Sequence, residues 1–392
     1  MFDFFAVSTE GGSKDPAFRL EKRFINYLIS FPFARKSKDK ADGVESEVQE
    51  QKRRLLQVEQ INYDERERLA RARQRYQDRI SDELHENIYR RILAQLDDRD
   101  YIREKLIPLP EKLPDLLDIL STKAASMRRI EDIVQGMDWF HNGVLKTVNQ
   151  PPFIDQRKQS KKVKLENLRT AMSFMGTENL RLLAPAYIMQ NWLPPSTQPF
   201  TLFRRKVWEH SLGTAIIAQA IAERQQLKDP VLAFTLGMFH ELGKVALTKL
   251  YLRVFDEIQR EMAIASINDS SPERHSALIS ITPDERFLRN LMLEQDKRVS
   301  YIVSEGWGLQ RVPISQHLQN FHQAHDVDDF DSDYAKVLSQ ANAFCEFRML
   351  REVELASVEE GSHLLRRYDV DAGLVAELNT LNLKRPKFNV PK

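Results

Sequence analysis

Cysteine is almost missing from the 392-residue chain: Cys345 stands alone. A single thiol excludes an intramolecular disulfide framework and any multi-cysteine zinc or iron–sulfur site. A reducing, cytoplasmic setting is the expectation that follows. Glycine is scarce too, at 13 residues, which disfavours Gly-rich phosphate loops and Gly-turned β architectures. Neither sign of charge dominates, with 58 basic side chains against 57 acidic ones. The chain lacks the basic footprint of nucleic-acid binding, and no nucleic-acid partner is expected. No stretch approaches ~18 uninterrupted apolar residues, so no membrane span is expected. Met1-Phe2-Asp3 opens without a basic n-region or a cleavage signal, so no signal peptide is expected.

What is present reads as helix. The chain is 42% hydrophobic and 29% charged, a globular balance, and its length predicts two to three domains at ~150 residues each. Residues 1–43 form a first segment. Within it, Phe18 to Phe33 carries an aromatic and aliphatic face flanked by Arg19, Lys22, Arg23, Arg35 and Lys36. Such a face docks on the rest of the chain, the first reading, or makes weak contact with a membrane interface, the second. Lys36 to Gly43 reads as a polar linker.

Residues 44–104 form a second region. From Glu45 to Glu104 there is neither Gly nor Pro, and the composition favours helix. Its early heptad is spoiled by Asn62 and Glu65, and from Ala72 through Tyr76, Ile80, Leu84, Ile88, Ile92 and Leu96 the apolar step is four. A step longer than 3.6 rotates the stripe around the helix, which makes a long charged helix or helix pair rather than a coiled coil. Its charge run is first a solvated face, and second a partner or dimer contact. Beyond Pro108, Pro110 and Pro114, helical patterns follow at 112–122, 126–137, 139–149, 164–174, 177–192, 207–226 and 230–260. Asp229-Pro230 has the form of an N-cap with proline at the first helical position. Residues 105–385 are expected to form one all-α domain.

Nine histidines leave few places for chemistry. His210 opens a helix rich in small residues (Gly213, Ala215, Ala218), and His240 sits in Gly237-Met238-Phe239-His240-Glu241-Leu242-Gly243-Lys244. Small residues let two helices approach closely and bring the histidines to one point. An imidazole pair beside a carboxylate is a start on a divalent metal site, although a lone helical histidine is more often structural. His317, His322 and His325 cluster farther on, and Asn342 follows in Ala341-Asn342-Ala343. Trp208 and Trp307 read as packing residues, and Cys345 as a small buried hydrophobe.

Several of these segments together resemble one family. Leu109-Pro110, Leu113-Pro114-Asp115-Leu116-Leu117, Val144 through Phe153, Ala171 through Gly176, Trp208-Glu209-His210-Ser211 and His240-Glu241-Leu242-Gly243-Lys244 follow in order over roughly residues 105–345. The series resembles the HDOD domain, the HD-related output domain of bacterial signalling proteins. The resemblance implies a compact multi-helix HD-like fold. In catalytic HD phosphohydrolases a His, a His–Asp doublet and a distant Asp hold a divalent metal. Carried onto this chain, those positions fall on His210, His240, Glu241 and Asn342, so both aspartates are replaced. Glutamate moves the carboxylate by ~1.5 Å, and asparagine removes a charge, in a site where such errors matter. Lys244 matches a position where relatives place a phosphate-binding lysine, or else it is a C-terminal helix cation. His322 and His325 extend the ligand site, or solvate a surface turn.

The resemblance thus implies a signal-transduction module that binds a signalling partner protein or a ligand without catalysis, with no cofactor expected and with dimerisation through the helical region an option. The competing reading is a metal-dependent phosphohydrolase using Mn, Fe or Mg on a nucleotide or cyclic dinucleotide.

Overall fold

The computed structural model describes residues 15–41, 57–108, 110–122, 125–154, 164–195, 197–324 and 327–386. Among them the structure is all-α, with no strand. Helices α1 (Pro16–Ile29), α2 (Phe31–Ala41) and α3 (Gln57–Asp97) precede a short α4 (Arg99–Tyr101), which runs into a π-helical turn at Ile102–Leu106. Next come α5 (Leu113–Leu120), α6 (Met127–Val134), α7 (Asp138–Val148), α8 (Pro151–Ile154) and α9 (Leu168–Trp192). The central helices are α10 (Phe203–Arg224), α11 (Pro230–Phe239) and α12 (Leu242–Asn268). The chain closes with α13 (Pro272–Ser280), α14 (Glu285–Glu305), α15 (Ile314–Gln323), α16 (Asp333–Glu352), α17 (Val358–Arg367) and α18 (Ala372–Leu378).

The expected breaks have local causes. α9 is interrupted at Gly176, whose φ of +78° leaves the helical region, as the separate patterns at 164–174 and 177–192 require. At the start of α11 the Asp229 side chain accepts from the Leu232 N–H, with Pro230 in the first turn. The run expected as one helix over 230–260 is two, parted by a turn at His240-Glu241. The interruption is tertiary: Ser300 Oγ on α14 donates to His240 O at 2.8 Å and accepts from Gly243 N–H at 2.7 Å. These bonds serve backbone groups that a helix end leaves unpaired.

α10 and α11 pack face to face, α16 lies against both, and α12 lies along α14. Pro230–Asn268 includes the one stretch apolar enough to cross a membrane among the described residues, and 94% of its most apolar window is buried in the protein. Composition alone does not separate a span from a core helix; here burial does.

The N-terminal segment departs from one expectation and keeps another. Lys36 and the residues through Ala41 belong to α2 rather than to a linker. The Phe18–Phe33 face docks on the rest of the chain: Leu20, Phe24, Tyr27, Leu28 and Ile29 are buried against the other helices, with Phe18, Phe31 and Phe33 half-buried. α1 begins with Asp15 capping the Ala17 N–H and lies on α14, α16 and α17. In α3 the rotating stripe holds from Ile80 through Leu84, Ile88, Ile92 and Leu96, all buried, whereas Leu69 is 64% exposed. The helix rests on α12 by its C-terminal half. Residues 45–56 of the expected helical region lie outside the described residues.

Candidate metal centre

His210 lies in the third turn of α10, His240 caps the end of α11, and Glu241 forms the turn into α12. Gly237 makes the meeting possible, since a Cβ there would stand 2.4 Å from Ala215 Cα. The imidazole centroids of His210 and His240 are 5.1 Å apart. Glu241 Oε1 is the hub, at 3.2 Å from His210 Nδ1, 3.1 Å from His240 Nε2 and 2.9 Å from Lys244 Nζ. The His210 contact is short but off the hydrogen-bonding direction, so it acts electrostatically. His240 Nδ1 lies 2.7 Å from Gly237 O and Nε2 3.0 Å from Asn342 Oδ1, so both ring nitrogens face an acceptor oxygen. Asn342 Nδ2 donates in turn to Glu346 Oε1 at 2.9 Å.

Electrostatics follow from burial. Burial alone would raise the Glu241 carboxyl, but the Lys244 charge, and then the two neighbouring imidazoles, hold it well below the usual carboxylate range. Burial would lower Lys244, but Asp296 and Glu241 hold its ammonium charged well above its ordinary value. Asp296 Oδ2 lies 2.7 Å from Lys244 Nζ. His210, without exposed surface, is pushed down to about 4 by desolvation. Glu346 is raised well above the carboxylate range by burial and by Glu21.

Three ligand atoms, from His210, His240 and Glu241, fall within 4.8 Å of one another, and the Gly237 bond orients His240 as a metal ligand's outer nitrogen is oriented. The donor chemistry nonetheless opposes a divalent ion. Glu241 Oε1 already accepts from an ammonium 2.9 Å away, while the buried Oε2 has no hydrogen-bond partner among the described residues. A doubly charged ion ~4 Å from that ammonium meets a repulsion of roughly 8 kcal/mol at an effective dielectric of ~20. Lys244 thus competes with a divalent ion for Glu241, and the three converging side chains supply one anionic ligand where hard divalent ions call for more oxygen charge.

Lys244 lies in the first turn of α12, so it is not a C-terminal helix cation. Its ammonium is 7% exposed and held between two carboxylates. His322 is half-buried near the end of α15 and is outside the group of three metal-capable side chains; His325 lies outside the described residues. His317 bonds to Ser332 Oγ at 2.7 Å. Trp307 packs between Trp192 and Phe239, at 5.3 and 5.0 Å. Burial raises the Cys345 thiol to about 12, the state of an inert core residue.

Three residues of the site carried no signal of their own. Phe24 of α1 lays its ring 4.5 Å from that of His210. Asp296 comes from α14, and its role is set only by the packing of α12 on α14. Glu346 was within reach, four residues after Asn342 on one helix face.

Residues 106–282, somewhat under half of the chain, match the HDOD domain, and that stretch is an HDOD domain. No curated protein matches the chain. Among solved structures it is similar to an HDOD domain protein of unknown function from Geobacter sulfurreducens, at 18% identity over 71% of this chain and 90% of that one, with a TM-score of 0.44. A candidate phosphohydrolase from Shewanella amazonensis SB2B gives 17%, 74%, 95% and 0.47. A candidate signal transduction protein from Marinobacter aquaeolei VT8 gives 14%, 76%, 66% and 0.43.

Proposed function

We propose that this HDOD domain is a non-catalytic module of a cytoplasmic bacterial regulatory protein, which works by binding a signalling partner. The division into residues 1–43, 44–104 and 105–385 is part of the proposal. The observation that carries it is the Lys244 ammonium on Glu241 Oε1, in a site with no access. His210 and Glu241 have no exposed surface, and His240 exposes 4%. Phe24 stands over His210 from a helix outside the matched residues. Hydrolysis needs a metal-activated water and an open position for a phosphoryl group; a lysine and a phenylalanine stand against both.

The competing hydrolase reading draws on the convergence of His210, His240 and Glu241. Elemental analysis decides between them, on full-length protein equilibrated with Mn²⁺ and freed of excess ion, with bis-(p-nitrophenyl) phosphate turnover measured alongside. The expected result is far less than one metal per chain and no turnover above the His210→Ala/His240→Ala variant. Near-stoichiometric metal that disappears in that variant overturns the proposal.

A further inference from the structure

On the outer side of α10, away from the buried histidines, α7, α9 and α10 enclose an open cleft of about 620 Å³. That volume lies in the range of small-molecule sites, roughly 300–1,000 Å³. Its walls combine two indoles, Trp139 and Trp208, with two guanidiniums, Arg204 and Arg205, and two primary amides, Gln190 and Asn191. Both indoles are only half-buried, while the guanidiniums and amides are exposed. Trp208 packs against the core, as expected, and also lines the cleft.

The cationic wall is poorly neutralised. Glu209 is the carboxylate nearest to Arg205 among the described residues, at 3.8 Å, and it is engaged at 2.7 Å by Lys206. Arg204 reaches no carboxylate among the described residues, and its Nη1 donates to Pro195 O at 3.4 Å. The first turn of α10 contains no acidic residue. Lys206 is turned to Glu209 and to the Tyr27 ring, but Arg204 and Arg205 stand at a helix start whose dipole disfavours cations. Their placement is accounted for by an anion in the cleft, since planar guanidiniums take phosphate oxygens in pairs. The indole faces add a surface on which an aromatic ring stacks.

We infer that this cleft binds a small aromatic phosphate ester, with the phosphate on Arg204 and Arg205, the ring on Trp139 or Trp208, and the Gln190 and Asn191 amides available to its polar edge. The inference goes beyond the proposed function and stands whether or not the buried site holds a metal. Calorimetric titration of the full chain tests it, with guanosine 5′-monophosphate as probe and with ribose 5-phosphate and guanosine as its two halves.

Binding of the monophosphate at or below about 0.1 mM is expected, with each half weaker by about tenfold or more. Arg204→Ala/Arg205→Ala, changes at exposed positions, should weaken binding by at least about tenfold, as should Trp208→Leu, with the helical circular dichroism retained. His240→Ala should leave binding unchanged. No binding of the monophosphate up to about 5 mM overturns the inference. So does binding that survives loss of both arginines, equal binding of ribose 5-phosphate, or loss of binding in His240→Ala alone, which would place the ligand in the buried centre.

Discussion

Glu241 and Asp296 close on one ammonium, that of Lys244, from 2.9 and 2.7 Å. Removing the cation leaves two carboxylates in a nearly dry environment, so Lys244→Met should lower unfolding free energy by about 3–5 kcal/mol. Urea denaturation at neutral pH measures this, and a loss below ~1 kcal/mol would show that water reaches the pair. Two neighbouring groups then give stability opposite dependences on pH. His210 is held down to about 4 from 6.5. The unfolded chain therefore takes up that proton first, and the contribution present above pH 6.5 is lost as pH falls toward 4. Glu346 is raised well above 4.5. Its contribution is complete below pH 4.5 and is lost as pH rises through the folded value. Glutamine has no proton to lose. Glu346→Gln should melt higher than the parent at about pH 8, with the gap closing by about pH 4.5; thermal melts at both values check it.

At the scale of elements, the pairing of α10 with α11 rests on missing side chains. A Cβ on Gly237 would lie 2.4 Å from Ala215 Cα, and one on Gly243 would lie 1.8 Å from Asp296 O. Neither obstacle is a flexible side chain, so the helices must move. Gly237→Ala should destabilise by about 1–3 kcal/mol or more through overpacking, read by chemical denaturation; an unchanged midpoint would mean that the approach is looser than described. This contact was legible in the sequence, because small residues and the two histidines recur on neighbouring helical patterns. The break between α11 and α12 was not. Nothing at His240-Glu241 stops a helix locally, and the bonds that hold the turn come from Ser300, some sixty residues on. The same division runs through the site. His210, His240, Glu241 and Asn342 show in local motifs, whereas Asp296 and Phe24 join them through tertiary packing that no periodicity reports.

In the whole molecule, the helices outside the matched residues are built into its core. Arg23 of α1 is 2% exposed; it reaches Leu355 O at 2.8 Å and Glu360 at 2.8 Å. On the other flank His85 of α3 bonds to Tyr251 OH, which accepts from the Asp284 backbone N–H at 2.7 Å. Ion pairs along α3 and α4, such as Arg91–Glu261 and Arg99–Glu305, are largely exposed, and exposed pairs give about 0–1 kcal/mol each. The stripe from Ile80 to Leu96 therefore does most of the holding. The four-residue step revealed that stripe in the sequence, but not α12 as its acceptor. If α1 and α3 are integral, unfolding is one event, and damage to either flank moves it. Phe24→Ala should remove about 3–5 kcal/mol, and Ile88→Ala about 2–5, each lowering a single calorimetric transition. Two resolved transitions, with only the smaller one sensitive to Phe24→Ala, would make α1 a detachable cover. The closure of the histidine site would then be conditional, because the ring over His210 would leave while the rest of the domain stayed folded.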